Sequence, residues 1–140
     1  MSYSVRKFLS EIDLFAGLPD DVLADLAGRG ASVTTAPGEE VIHEGAADAG
    51  LRVILEGNAE VTVHGVKRGT MGPGQYFGEI SLIDGQPRSA TLTAGPTGIT
   101  TYALSPLAFE PVLTSRPEVA VVLLRALCAR IRRLERDDES

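Results

Sequence analysis

Phe77-Gly78-Glu79-Ile80-Ser81-Leu82-Ile83-Asp84-Gly85-Gln86-Pro87-Arg88-Ser89-Ala90-Thr91-Leu92-Thr93-Ala94 is the stretch that decides the fold, because it reads as a built anion site. Gly78 lets backbone approach a ligand, and Glu79 opens a short apolar turn. Asp84-Gly85-Gln86-Pro87 then reverses the chain, and Arg88-Ser89-Ala90 delivers a guanidinium, a hydroxyl and small-residue backbone amides. Arginine is a forked, permanently charged donor suited to phosphate oxygens, and free N–H groups at a helix start add further donors. A carboxylate beside a phosphate repels it, so Glu79 fits only as an acceptor for a hydroxyl. An anion and a hydroxyl a few ångströms apart describe a compact sugar phosphate.

Working outward, the flanking sequence reads as short β-type runs punctuated by glycine. Candidate strands are Ser32–Thr35, Glu40–His43, Leu51–Leu55, Ala59–His64, Val66–Met71, Ala90–Ala94 and Ile99–Leu104, with a hairpin turn at His64-Gly65. Short strands at that spacing predict a closed or double-sheet antiparallel roll. Helical signals bracket the roll. Val5–Glu11 predicts a short helix, and Pro19-Asp20-Asp21 opens a second that stops at Gly28-Arg29-Gly30. Ser105-Pro106 starts a helix over Leu107–Thr114 that Pro111 is expected to shorten or bend, and Pro117-Glu118 starts a last one reaching about Glu135.

With these residues in view, the chain resembles the cyclic nucleotide-binding domain family. That family's phosphate-binding cassette runs F-G-E-[IL]-[AS]-L, a variable turn, then P-R-x-A-[TS]. Phe77, Gly78, Glu79, Ile80, Ser81, Leu82, Pro87, Arg88, Ala90 and Thr91 meet its fixed positions, and Gly38, Gly45 and Gly57 stand where the family places turn glycines. The resemblance extends from about Phe8 to Leu134. It implies a mainly-β α+β fold, an antiparallel double-stranded β-roll of jelly-roll type, filling one domain over 1–140. N-terminal helices would occupy 1–30, the roll 31–104 with its cassette at 77–91, and two C-terminal helices 105–136.

The resemblance also implies roles. Arg88 is expected to pair with the exocyclic cyclic phosphate, helped by backbone N–H groups near Ser89 and Ala90. Glu79 is expected to accept the ribose 2′-hydroxyl, and Gly78 marks the close backbone approach, with Phe77, Ile80 and Ser81 completing that wall. Ser89 has two readings, a contact to phosphate or base, or a strand-end serine bonded to backbone. Val61 and Met71 either line the base pocket or belong to the ordinary core. At about 100° per residue, Leu123, Leu127, Arg130 and Leu134 share an arc of roughly 60° on the final helix, with Arg125, Arg132 and Arg136 opposite. Arg130 is then either near the ligand or Glu79, or snorkels past the leucines to water.

Composition bounds the remaining possibilities. The 140 residues suit one core, 44% hydrophobic residues is ordinary for a globular chain, and 15 glycines suggest many tight turns. A net charge of −6 argues against a general nucleic-acid binder. The single cysteine, Cys128, excludes an internal disulfide and is expected to be a packed small hydrophobe. His43 and His64 lack partners at metal spacing and receive no role. Early charges at the N-terminus argue against a signal peptide, and no apolar run approaches the ~18 residues that span a bilayer, so a soluble, cytoplasmic protein is expected. Few residues follow Glu135, so the chain alone is not expected to carry a DNA-reading helix-turn-helix.

The functional expectation is a regulatory domain, not an enzyme, without a cofactor. It would bind cAMP in preference to cGMP and signal by moving its C-terminal helices toward a protein effector or a second copy. A scaffold domain with weak or no nucleotide binding and a cGMP receptor are the alternatives. An enzyme on a cupin-like roll would need a His cluster or a nucleophile with its base. No aromatic residue in the final helix can stack on a base, so modest selectivity is expected.

Overall fold

The computed structural model describes residues 4–47 and 49–139; Met1–Tyr3, Asp48 and Ser140 lie outside them. Strands β1 (Ala31–Thr35), β2 (Glu40–Ile42), β3 (Leu51–Val63), β4 (Val66–Met71), β5 (Tyr76–Phe77) and β6 (Thr91–Leu104) form the antiparallel roll. Helices α1 (Val5–Ser10) and α2 (Asp20–Arg29) precede it, α3 (Glu79–Asp84) interrupts it, and α4 (Pro106–Ser115) and α5 (Pro117–Glu139) follow.

β3 and β6 are the spine. They pair with each other from Leu51↔Leu104 to Thr62↔Thr91, and each also serves two further strands. β6 takes β2 against its first half and β1 against its second, while β3 takes β5 and then β4. Two long strands shared in this way curl one sheet onto itself. The sequence reading divided each of them in two. Gly57 and Gly95-Pro96 look like strand ends, yet the structure runs straight through them, with register shifts between Ile54 and Glu56 and between Gly57 and Ala59. Gly57 is therefore a strand residue opposite Ile99, not a turn glycine. The His64-Gly65 turn is present, with φ of 51° and 77°, the pair of left-handed residues a tight type I′ hairpin requires.

Side-chain alternation along the spine divides the core. Leu51, Val53 and Leu55 of β3, with Tyr102 and Leu104 of β6, face the helices and pack with Leu9, Phe15, Leu26, Phe109 and Leu123. Phe15 and Phe109 stack with centroids 6.3 Å apart. Ile54 and Ala59, with Leu92, Ala94 and Ile99, turn inward and fill the roll. Each fully buried leucine or phenylalanine is worth about 1.5–3 kcal/mol, so the helix-facing core ties both ends of the chain to the roll.

The helix boundaries are set locally. Ser105 caps α4, its hydroxyl accepting the Ala108 N–H at 3.2 Å, with Pro106 at the first position. Pro111 neither ends nor shortens α4, which continues to Ser115. Gly30 closes α2, though in extended conformation; what it supplies is room, since a Cβ there would strike the Ala103 carbonyl and the Tyr102 ring. Cys128 is exposed, against expectation. It lies about 140° around α5 from Leu123, on the face turned away from the body. Leu134 is on the expected arc but is 59% exposed, because the last turns of α5 run past the core that buries Val119 and Leu123.

Tyr102 tests the link between roll and helices. It is buried, its hydroxyl donates to the Leu26 carbonyl of α2, and burial pushes its phenol up to about 12. A raised folded pKa means that this group's contribution is complete below the ordinary value of 10.0 and is lost as pH rises toward about 12. Tyr102→Phe should lower unfolding stability by about 1–3 kcal/mol at neutral pH in urea titration. The variant should also lose part of the wild type's decline in stability between those two pH values. An unchanged urea midpoint would contradict this role.

Candidate functional site

The site begins with a short edge strand the sequence reading did not find. β5 pairs Tyr76 with Val53 and Phe77 with Arg52, which fixes the start of the 77–91 segment against the spine. Gly78 follows in the left-handed region (φ 82°) and serves as N-cap of α3. Two constraints demand glycine here. The backbone angle disfavours L side chains, and a Cβ would overlap the Gly50 carbonyl and the Arg88 guanidinium.

That close approach organises Arg88. Its backbone is clamped on both sides, with Gly45 N–H donating to the Arg88 carbonyl at 2.8 Å and Arg88 N–H donating to the Ala46 carbonyl at 3.1 Å. Its Nη1 donates to the Gly50 carbonyl at 2.5 Å, and its guanidinium lies over the Phe77 ring, 5.6 Å from the centroid. The side chain is thus oriented from three directions while only 7% exposed. Ser81 reinforces the arrangement. Its hydroxyl donates to the Gln86 carbonyl at 2.8 Å and accepts the Gly50 N–H at 3.2 Å. With its single proton committed, Ser81 holds the 84–87 turn and the Gly50 loop together. The Asp84 carboxylate completes that turn by accepting the Gln86 N–H at 3.0 Å.

Arg88 forms one wall of a cavity of about 400 Å³, a size suited to a small organic ligand. Ten of the eleven residues singled out from sequence line it: Val61, Met71, Phe77, Gly78, Glu79, Ile80, Ser81, Arg88, Ser89 and Ala90. Its apolar end follows from strand register. Ile42 and Val61 both pair with Leu92, so three aliphatic side chains from β2, β6 and β3 stand in one row. Val61 and Met71 pack against the inner core and also line the cavity, so the two readings of these residues coexist. Ser89 is exposed at the polar end.

Arg130, the remaining residue, reaches the site from α5. Its Nη1 donates to Glu79 Oε1 at 3.1 Å, and its Nη2 and Nε donate to Asp13 at 2.5 and 3.2 Å. Burial pushes the Asp13 carboxyl up, but the hydrogen bonds and charge of Arg130 outweigh it and hold the group below the usual carboxylate range. The Asp13 carboxylate in turn raises Arg130 above its ordinary value. Glu79 therefore pairs with Arg130, and Arg88 bonds the Gly50 carbonyl instead of Glu79. His43 and His64 are exposed and sit beside Glu40 and Glu44.

The sequence reading missed Ile42 and Leu92, Gly50 and Asp13. The first two were placed in strands, but their shared face depends on register between distant segments. Gly50 and Asp13 act through tertiary contacts alone, and no local pattern marks them. Chemically, the cavity joins a buried cation, an accessible carboxylate and an aliphatic slot within one enclosure. Among the described residues there is no group of three His, Cys, Asp or Glu side chains that could hold a metal ion, and no helix is long and apolar enough to cross a membrane.

Comparison with known proteins gives the same answer as the geometry of the fold. The solved N-terminal domain of a transcriptional regulator from Streptomyces coelicolor A3(2) superposes with a TM-score of 0.80 at 37% identity, covering 91% of this chain and 94% of that one. A cAMP-dependent protein kinase regulatory subunit from Yarrowia lipolytica is 37% identical over 62% of this chain and 24% of its own length. The CRP-like cAMP-activated global transcriptional regulator of Mycobacterium tuberculosis is 27% identical over 91% of this chain and 58% of its own. The chain thus spans from about a quarter to three-fifths of these two curated relatives. The family profile described as "Cyclic nucleotide-binding domain" matches residues 32–116, more than half of the chain and the whole of the cavity wall. This chain belongs to the cyclic nucleotide-binding domain family.

Proposed function

We propose that the domain is a regulatory receptor for cAMP whose C-terminal helices shift when the nucleotide binds. The observation that carries this reading is the buried, three-way-anchored Arg88 on the wall of a cavity whose far end is aliphatic. A cyclic phosphate placed on Arg88 leaves its ribose toward Glu79 and its base toward the Ile42–Leu92–Val61 row. The guanidinium is oriented before the ligand arrives, so little ordering opposes binding. Glu79 would accept the 2′-hydroxyl with an oxygen not engaged by Arg130, and Arg130 offsets the carboxylate's repulsion of the phosphate. Two curated relatives are named for cAMP and another, a cGMP-dependent protein kinase 32% identical over 64% of this chain, for cGMP, so the choice of adenine over guanine is what a titration of the two nucleotides decides. The role is one of binding, with no bond made or broken, in keeping with relatives that are a regulatory subunit and a transcriptional regulator.

Transmission would run through Glu79. It belongs to α3 at the cavity rim and touches Arg130 of α5, so a ligand on Glu79 bears directly on the last helix. A ligand biases such an element only through contacts that differ between its positions.

Three measurements check this. Calorimetric titration should show cAMP binding more tightly than cGMP, and Arg88→Ala should weaken cAMP by about a hundredfold or more, a loss within the ~2–5 kcal/mol expected for a desolvated charge contact. Unchanged affinity in that variant would remove Arg88 from the site. 2′-Deoxy-cAMP should bind more weakly than cAMP by about 1–3 kcal/mol, the loss of one hydrogen bond to a charged, half-buried acceptor; equal affinities would show that Glu79 serves only Arg130. Amide exchange of residues 117–135 should change on saturation with cAMP. Identical protection with and without nucleotide would leave a binder that does not switch.

A further inference from the structure

Asp13 lies in the turn between α1 and α2, far in sequence from the 77–91 segment, yet it is the main partner of Arg130. Its neighbours explain why its carboxylate is a fixed point. Ile12, Leu14 and Phe15 are fully buried, and the turn is closed by Ile12 N–H to Leu9 carbonyl at 3.2 Å and Phe15 N–H to Ile12 carbonyl at 2.9 Å. A chain pinned on both sides leaves little freedom to the Asp13 side chain, which meets Arg130 of α5.

The guanidinium is planar and its donors are rigidly disposed. Asp13 takes Nη2 on Oδ1 and Nε on Oδ2, which fixes the plane and leaves Nη1 directed at Glu79 Oε1. Arg133 adds a bond to Asp13 Oδ2 at 3.3 Å, and the Tyr76 hydroxyl donates to Oδ1 at 3.4 Å. Packing contributes little at this level of α5, where Ile131 and Leu134 are 53% and 59% exposed. The end of the helix is held over the cavity rim by charge.

The geometry points to Asp13 as a positioning residue of the nucleotide site: by fixing Arg130 on Glu79 Oε1 it holds the other carboxylate oxygen in place for the ribose 2′-hydroxyl and ties the α1–α2 turn to ligand affinity. This rests on the nucleotide reading above for its ligand and on Asp13, Arg130 and Glu79 alone for its geometry. A plain helix-docking ion pair would give the same distances, but its loss would act on all ligands alike.

The test uses the full chain with Asp13→Asn, which keeps shape and removes charge, alone and in an Arg130→Ala background. By calorimetry, Asp13→Asn should weaken cAMP by about three- to tenfold and shrink the preference for cAMP over 2′-deoxy-cAMP, and it should have no further effect once Arg130 is absent. Unchanged affinity, an equal loss for both nucleotides, or the same loss without Arg130 would each overturn the proposal. A second arm needs no nucleotide. Urea unfolding of wild type, Asp13→Asn, Glu79→Gln and the double variant should show the double variant less destabilised than the sum of the singles, since both act on one arginine. Strict additivity would overturn the coupling. Should the wild type fail to bind cAMP, the receptor reading falls, while the unfolding cycle still decides whether Asp13 sets Arg130 on Glu79.

Discussion

The bond from Arg88 Nη1 to the Gly50 carbonyl is possible only because Gly78 has no side chain, and much of the site depends on that contact. A guanidinium taken from water needs donors satisfied in return, or its burial costs several kcal/mol. Here the Gly50 loop supplies a carbonyl, Phe77 supplies a ring face, and Gly45 and Ala46 hold the main chain. Ser81 ties the Gly50 loop to the Gln86 turn, so the groups that orient Arg88 brace one another.

This arrangement rests on the division of the core. One face of the long strands packs on helices from both ends of the chain, and the other fills the roll and forms the cavity's aliphatic end. Apart from α3, whose Glu79, Ile80, Ser81 and Asp84 line the cavity, the helices and the cavity therefore sit on opposite faces of the same two strands. α5 is the exception, since Arg130 passes its charge to the cavity rim while Leu123 stays in the helix-facing core. A helix with one end packed and the other held by ion pairs is suited to moving at the second end only. The Arg130–Glu79 pair is half-buried at that second end, at the rim of the cavity.

What could be read from sequence was whatever is local. The residues from Phe77 to Thr91 carry their geometry in their own order, with a permissive glycine, a reversing turn and an arginine, and ten of the eleven proposed site residues meet in one cavity, although the apolar turn expected after Glu79 is a six-residue helix. The hairpin at His64-Gly65 and the capped start of α4 were legible for the same reason. β3 and β6 were misread as four strands because glycine and proline ordinarily end strands, whereas here a shared register carries both strands through. Cys128 was placed inside from its apolar neighbours, although the helical turn points it away from Leu123, and Leu134 because helical periodicity gives a face but not where the neighbouring core stops. Gly50 and Asp13 left no trace, since each works through a partner that only the fold brings near.

The central claim is that the phosphate site exists before the ligand does. A crystal structure of the protein with cAMP bound tests it most directly. The account predicts the exocyclic phosphate on Arg88 at hydrogen-bonding distance, the 2′-hydroxyl on Glu79, and the backbone of residues 77–91 within about 1 Å of its position here, as preorganised sites show. A phosphate bound away from Arg88, or a 77–91 segment that must refold to receive it, would contradict the account.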